Sequence, residues 1–193
     1  MKFLSTIAMA AVMEAGACAD PVTAYVEDLS VVPSPVLSRA EVLANEIFAG
    51  AGVKINWRRG ELPRSPTPRE RAIVVEMATD TPKQRTPGAL AYALPYEGVH
   101  ITVFYDRLKK AAAFEPTANA LLAHVLVHEI THLIEGSDRH SDTGIMKARW
   151  TIKDIRDMRW KTLSFDAADL QLIRTGLARR ANAGTLTAAT KTR

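Results

Sequence analysis

The chain has 193 residues, 47% hydrophobic and 24% charged, with a formal net charge of +4 and one cysteine. That is one domain's worth of sequence, long enough to bury a core of its own. A single cysteine excludes an internal disulfide and a cysteine-based zinc site, and the basic residues fall in short groups (Arg58-Arg59, Lys109-Lys110, Arg179-Arg180) without the aromatic interleaving of a nucleic-acid surface.

Lys2, the short apolar run 3–13 and the small residues Ala17-Cys18-Ala19 read as an export signal, cleaved ahead of Asp20. The expected organisation is a signal peptide at 1–19, one domain at 20–181 and a flexible tail at 182–193, in a protein that is periplasmic or secreted. The apolar run is too short to span a bilayer, and no other stretch reaches transmembrane length. Lipid anchoring at Cys18 is the alternative, but the usual Leu three residues earlier is missing.

Residues 22–27 alternate as a first strand should. Ser38 with Glu41 has the form of a capping box, which predicts a helix from 38 to about 49, stopped by Gly50 and Gly52. Residues 53–57 alternate as a second strand, and the polar, Pro-rich stretch 58–70 reads as a loop. The β-branched run at 72–78 suits a strand covered on both faces. After a loop at 79–87, the Gly- and Ala-rich segment 88–94 reads equally as a weak edge strand or a loop, and 99–105 reads as a strand. A long apolar helix is predicted over 117–135, with Pro116 at its start and Gly136 at its stop. A polar connection at 151–161 has room for a short helix. Last comes an amphipathic helix over 166–181, with Leu170, Ile173, Leu177 and Ala181 on one face.

The segment His128-Glu129-Ile130-Thr131-His132 lies inside the long helix. Residues four apart share a helix face, so His128 and His132 can reach one metal ion. Glu129, one residue past the first, can meet a water held by the same ion and act as general base. The pentapeptide alone is a weak signal. It gains weight from falling on an independently expected helix, and from the clustering of His128, His132 and His140 in one short stretch. A histidine on an apolar helix is usually a packed core residue; His124, on the same face, fits that description or a supporting place beside the ligands. No Glu follows Glu135, so a Glu on a later helix is excluded as third ligand, and Asp154, Asp157, Asp166 and Asp169 form no ligand pattern. His140, past the glycine bend, can complete three protein ligands and leave a fourth position open.

Residues 128–146 resemble the metzincin metallopeptidases, whose signature HExxHxxGxxH precedes a Met-containing turn beneath the zinc site. The resemblance is out of register in one place. Glu135 stands at the family's glycine position and Gly136 follows one residue late; Asp138 stands at the third-ligand position and His140 follows two residues late. Gly144-Ile145-Met146 looks like the Met-turn, and the distance from His128 to Met146 fits the family. Asp138 therefore has the family spacing, whereas His140 has the better chemistry, because neutral imidazole suits zinc and adds no charge. Ligand type favours His140, which leaves Asp138 to pair with Arg139 or solvent.

The order of elements resembles the metzincin catalytic domain over nearly all of 20–181. It implies an α+β, zincin-like fold with a mixed, mostly parallel twisted sheet, an edge strand, an active-site helix and a C-terminal helix. In that family an antiparallel edge strand pairs with extended substrate, and 88–94 occupies its place. The resemblance implies a Zn2+-dependent endopeptidase acting on peptide or protein substrates, with Glu129 catalytic, His128, His132 and His140 on the metal, and Met146 structural. The same water chemistry would serve a hydrolase of non-peptide amides. A zinc-binding module without catalysis is the third reading, in which Glu129 would have no chemical task.

Overall fold

Strand β1 (Val22–Glu27) buries Val22, Ala24 and Val26 and half-exposes the residues between them, the period-two pattern of a strand with one face on the core. A computed structural model describes residues 21–63, 72–79, 88–96, 99–113 and 115–190. The expected export signal and Cys18 lie outside the described residues, as do parts of both expected loops.

Five strands form one sheet in the order β2-β1-β3-β5-β4, where β2 is Ile55–Arg59, β3 is Ala72–Ala78, β4 is Ala91–Ala93 and β5 is His100–Phe104. The first four in that order are parallel, and β4 runs antiparallel to β5 at the edge. β3 is central, and its run Ile73-Val74-Val75 is buried throughout, as expected of a strand covered on both faces. The mixed, mostly parallel sheet expected from the sequence is therefore present. The ambiguous segment at 88–94 contains a strand of three residues, limited by Pro95 just beyond it.

Helix α1 (Ser34–Ala49) begins a full turn before the expected position. Pro35 is tolerated in a first turn because the N–H it lacks would have no helical partner there. Ser38 is consequently inside the helix, donating to the Ser34 carbonyl at 2.9 Å, and Glu41 pairs with Arg59 at 2.9 Å instead of closing a cap. That pairing also draws Arg58 and Arg59 into β2, which the sequence had assigned to a loop. Helix α2 (Tyr105–Ala112), directly after β5, was not expected. Its signal is nevertheless present: Tyr105, Leu108 and Ala112 fall on one buried face, with Asp106 near the N-terminus and Lys109 and Lys110 near the C-terminus, each complementing the helix dipole.

Helix α3 (Glu115–Glu135) packs against α1 and α5. Leu121, Leu122, Leu126, Ile130 and Ile134 are fully buried along it. Each contributes about 1.5–3 kcal/mol of transfer free energy. That surplus lets a central helix also carry His124, His128, Glu129 and His132 out of water. Gly136, at φ +64°, ends the helix in the left-handed conformation that favours glycine, and its N–H bonds back to the His132 carbonyl at 2.8 Å. Helix α4 (Ile152–Asp157) opens with a reciprocal Thr151–Asp154 capping box. Helix α5 (Ala167–Thr190) runs beyond the expected end at 181, into the segment read as a tail, where Ala and Leu favour helix against Asn182, Gly184 and the Thr residues. Among the described residues, no helix is long and apolar enough to cross a membrane.

Candidate metal centre

The helical period brings His128 and His132 to one face of α3, and the chain beyond the helix returns to fix both rings. After Gly136, the Ser137 carbonyl accepts a hydrogen bond from His132 Nδ1 at 2.8 Å. Further on, the Ile145 carbonyl accepts one from His128 Nδ1, also at 2.8 Å. A carbonyl can only accept, so each Nδ1 carries the proton and each Nε2 keeps a bare lone pair. The two Nε2 atoms face each other at 3.0 Å. Burial holds both rings neutral, lowering His128 to about 3 and His132 to about 4.

Two neutral nitrogens with lone pairs converging at this distance call for a cation between them. His140 completes the arrangement from the loop. Its ring centroid lies 5.2 Å from that of His128 and 4.9 Å from that of His132, and one ligand atom from each of the three histidines lies within 4.8 Å of the others. Three neutral imidazoles form a donor set suited to zinc, and the exposure of His140 keeps one side of the group open. Asp138 is exposed and outside this group. It does not pair with Arg139 either, because Arg139 reaches Asp169 on α5 at 2.5 Å.

Glu129 is 8% exposed beside the histidines, and burial raises its carboxyl to about 8, partly offset by a hydrogen bond from the Ala93 backbone N–H. That bond links Glu129 to the sheet edge. Leu90 and Leu94 turn their backbone groups toward β5, through Phe104 N–H to Leu90 O at 2.8 Å and Leu94 N–H to His100 O at 3.2 Å. The alternation of an antiparallel ladder then directs Ala91 and Ala93 to the open side.

A cleft of about 430 Å³ runs past these groups, lined by residues 88–92, by residues 147–150 with Ile155, and by Ala111, Val125, His128, Glu129 and His140. Met146, next in the chain to the Ile145 carbonyl that holds His128, is fully buried. The turn that carries it passes through Gly144 at φ +72°, where a Cβ would fall 2.3 Å from the Ser164 carbonyl oxygen.

His124 is fully buried one turn before His128, and both its nitrogens are occupied. Nδ1 donates to the Ala120 carbonyl at 2.7 Å and Nε2 accepts the Leu163 backbone N–H at 3.0 Å. It is a packed histidine that ties the connection before α5 to α3. His100, on β5, is exposed and apart from the group. Asp169 has no assigned part in the sequence reading, and Arg139 stands there only as a partner for Asp138. The spacing of Asp166 and Asp169 does signal a helix cap, but nothing in it points to the loop that Asp169 also holds.

The fold is similar to that of an archaemetzincin from Methanopyrus kandleri, with 17% identity, a TM-score of 0.53, and coverage of 83% of this chain and 97% of that one. It is also similar to a zinc-dependent peptidase from Methanocorpusculum labreanum, with 15% identity, a TM-score of 0.52, and coverage of 80% of this chain and 99% of that one. No family model matches the sequence, and no curated protein does.

Proposed function

We propose that this chain is an exported zinc metallopeptidase in which His128, His132 and His140 hold the metal and Glu129 is the general base. The observation that carries this reading is the pair of bare Nε2 atoms 3.0 Å apart, with His140 beside them and Glu129 lining the same cleft. The two structural neighbours, an archaemetzincin and a zinc-dependent peptidase, support the choice of metal and reaction. Zinc, when bound, supplies Lewis acidity at the scissile carbonyl and lowers the pKa of the attacking water.

The protein's own groups do the rest. Glu129 takes the proton of the attacking water and delivers it to the leaving amine. Its buried position favours this exchange, because burial raises its proton affinity, while a nearby divalent cation would oppose that rise. Beyond the Ala93 N–H that Glu129 takes, the open side of β4 offers the Ala91 backbone to an extended peptide by strand addition, which aligns the scissile bond along the cleft. The buried Met146 supports the floor below the histidines. Retention of a buried acid that is not a ligand favours catalysis over a purely structural metal site. Export rests on the apolar segment that follows Lys2.

The test is incubation of the zinc-loaded protein with a mixed-sequence peptide library, with Glu129→Gln as control. Cleavage by wild type alone is expected. Zinc bound to both and cleavage by neither would remove the peptidase reading.

A further inference from the structure

Three histidines converge, but only two of their rings are themselves held. His128 and His132 stand on a buried helix, and each is fixed through Nδ1 to a carbonyl. His140 stands in an irregular loop, is exposed, and its ring makes no hydrogen bond to any described residue. Binding a metal through a free loop would cost the entropy of ordering it. A loop ordered beforehand avoids that cost and binds more tightly.

The residues on either side of His140 supply the order. Arg139 Nη2 donates to Asp169 Oδ1 at 2.5 Å, and Ser141 Oγ donates to the same oxygen at 2.6 Å. Asp169 is 0% exposed and lies in the first turn of α5. Its other oxygen accepts the Asp166 backbone N–H at 3.1 Å, while the Asp169 N–H donates to Asp166 Oδ1 at 2.7 Å. One oxygen therefore closes the helix cap and the other grips the loop. The grip is charge-assisted and its carboxylate is buried, although Arg139 itself is half-exposed. A second tie, from Ser141 N–H to the Met146 carbonyl at 2.8 Å, joins the same point to the turn that orients His128.

We propose that Asp169 is a positioning residue for the metal centre: by holding Arg139 and Ser141 on a single buried oxygen, it presents the His140 imidazole to His128 and His132. The proposal rests on the reading of those histidines as zinc ligands. It separates Asp169 from a residue that merely caps α5, because the capping oxygen and the loop-holding oxygen are different atoms.

The test uses the full chain and four forms: wild type, Asp169→Ala, His140→Ala and the double variant. Zinc affinity is measured by competition with a chromophoric chelator, and the ligand set by the visible spectrum of the cobalt(II) form. Asp169→Ala is expected to weaken zinc binding about ten- to a hundredfold, as loss of a ligand-orienting partner does. It should also move the cobalt spectrum toward that of His140→Ala and cost nothing further in the His140→Ala background. Wild-type affinity in Asp169→Ala, or equal losses in both backgrounds, would overturn the proposal. If Asp169→Ala does not fold, the paired exchange Arg139→Ala with Ser141→Ala takes its place under the same criteria, since it leaves the Asp166–Asp169 bonds intact. A wild-type protein that takes up neither zinc nor cobalt overturns the underlying reading instead.

Discussion

The C-terminal half of α3 and the loop that follows it each contribute to one cluster, and they are built by opposite means. On the helix, the spacing of His128 and His132 is fixed by backbone hydrogen bonds inside the element, and a surround of buried Leu and Ile holds it rigid. In the loop, His140 owes its position to groups from elsewhere: the Asp169 carboxylate of α5 on its two neighbours and the Met146 backbone carbonyl on Ser141. A local repeat can place two ligands without help. A third ligand that must approach from another direction needs tertiary contacts.

The contrast can be broken or sharpened experimentally. The largest effect expected is at Glu129, where exchange for Gln should lower peptide cleavage by roughly 10²–10⁴-fold, the usual worth of a general base, with zinc content unchanged. Turnover that survives intact would move the base elsewhere. Next comes the comparison of ligands by chelator competition. His128→Ala and His132→Ala should cost more zinc affinity than His140→Ala, because the helix pair is positioned without the loop, and Asp138→Ala should leave affinity unchanged. A larger loss from Asp138→Ala than from His140→Ala would transfer the loop ligand to the aspartate. Stability should follow with a smaller change. Gly144→Ala combines a φ of +72° with a Cβ 2.3 Å from a backbone oxygen, and should cost about 1–3 kcal/mol in urea unfolding. An unchanged midpoint would mean that this turn is not rigidly held.

A last comparison lies in the pH dependence of the metal-free protein. Burial lowers His124, His128 and His132 to about 4, 3 and 4 from 6.5, so below about 6.5 the unfolded chain binds more protons and stability rises with pH. Glu129 and Glu135 are raised to about 8 and 7 from 4.5, so the folded chain holds more protons across that interval and stability falls as pH climbs through it. Thermal midpoints should therefore peak near pH 6.5, and Glu129→Gln should flatten the alkaline side. An alkaline limb identical in the two proteins would show that Glu129 is already ionised.

The same division decides what could be read from the sequence. The helix pair, the adjacent acid and the buried β3 run are local patterns, and the structure has them where the residues indicate. His140 was legible as chemistry but not as geometry, because the resemblance put Asp138 at the expected spacing and only tertiary contacts distinguish the two. The start of α1 and the end of β2 differ from the sequence reading for a related reason. Ser38 and Glu41 have the form of a cap, yet Arg59, distant in sequence, claims both: Ser38 Oγ at 2.8 Å and Glu41 at 2.9 Å. Helix α2 was missed because its eight residues follow β5 without a turn residue between them.

The face of α3 carries histidines at 124, 128 and 132, which makes two pairs of identical spacing, 124 with 128 and 128 with 132. Either could chelate a metal on a bare helix. In the folded chain the Leu163 N–H occupies Nε2 of His124, and the Ala120 carbonyl takes its other nitrogen. His124 therefore has no lone pair left to offer, and one register of the ladder is closed to a misplaced ion. Docking of residue 163 on α3 thus turns a ladder of two equal pairs into a single one, His128 with His132, whose facing Nε2 atoms keep their lone pairs.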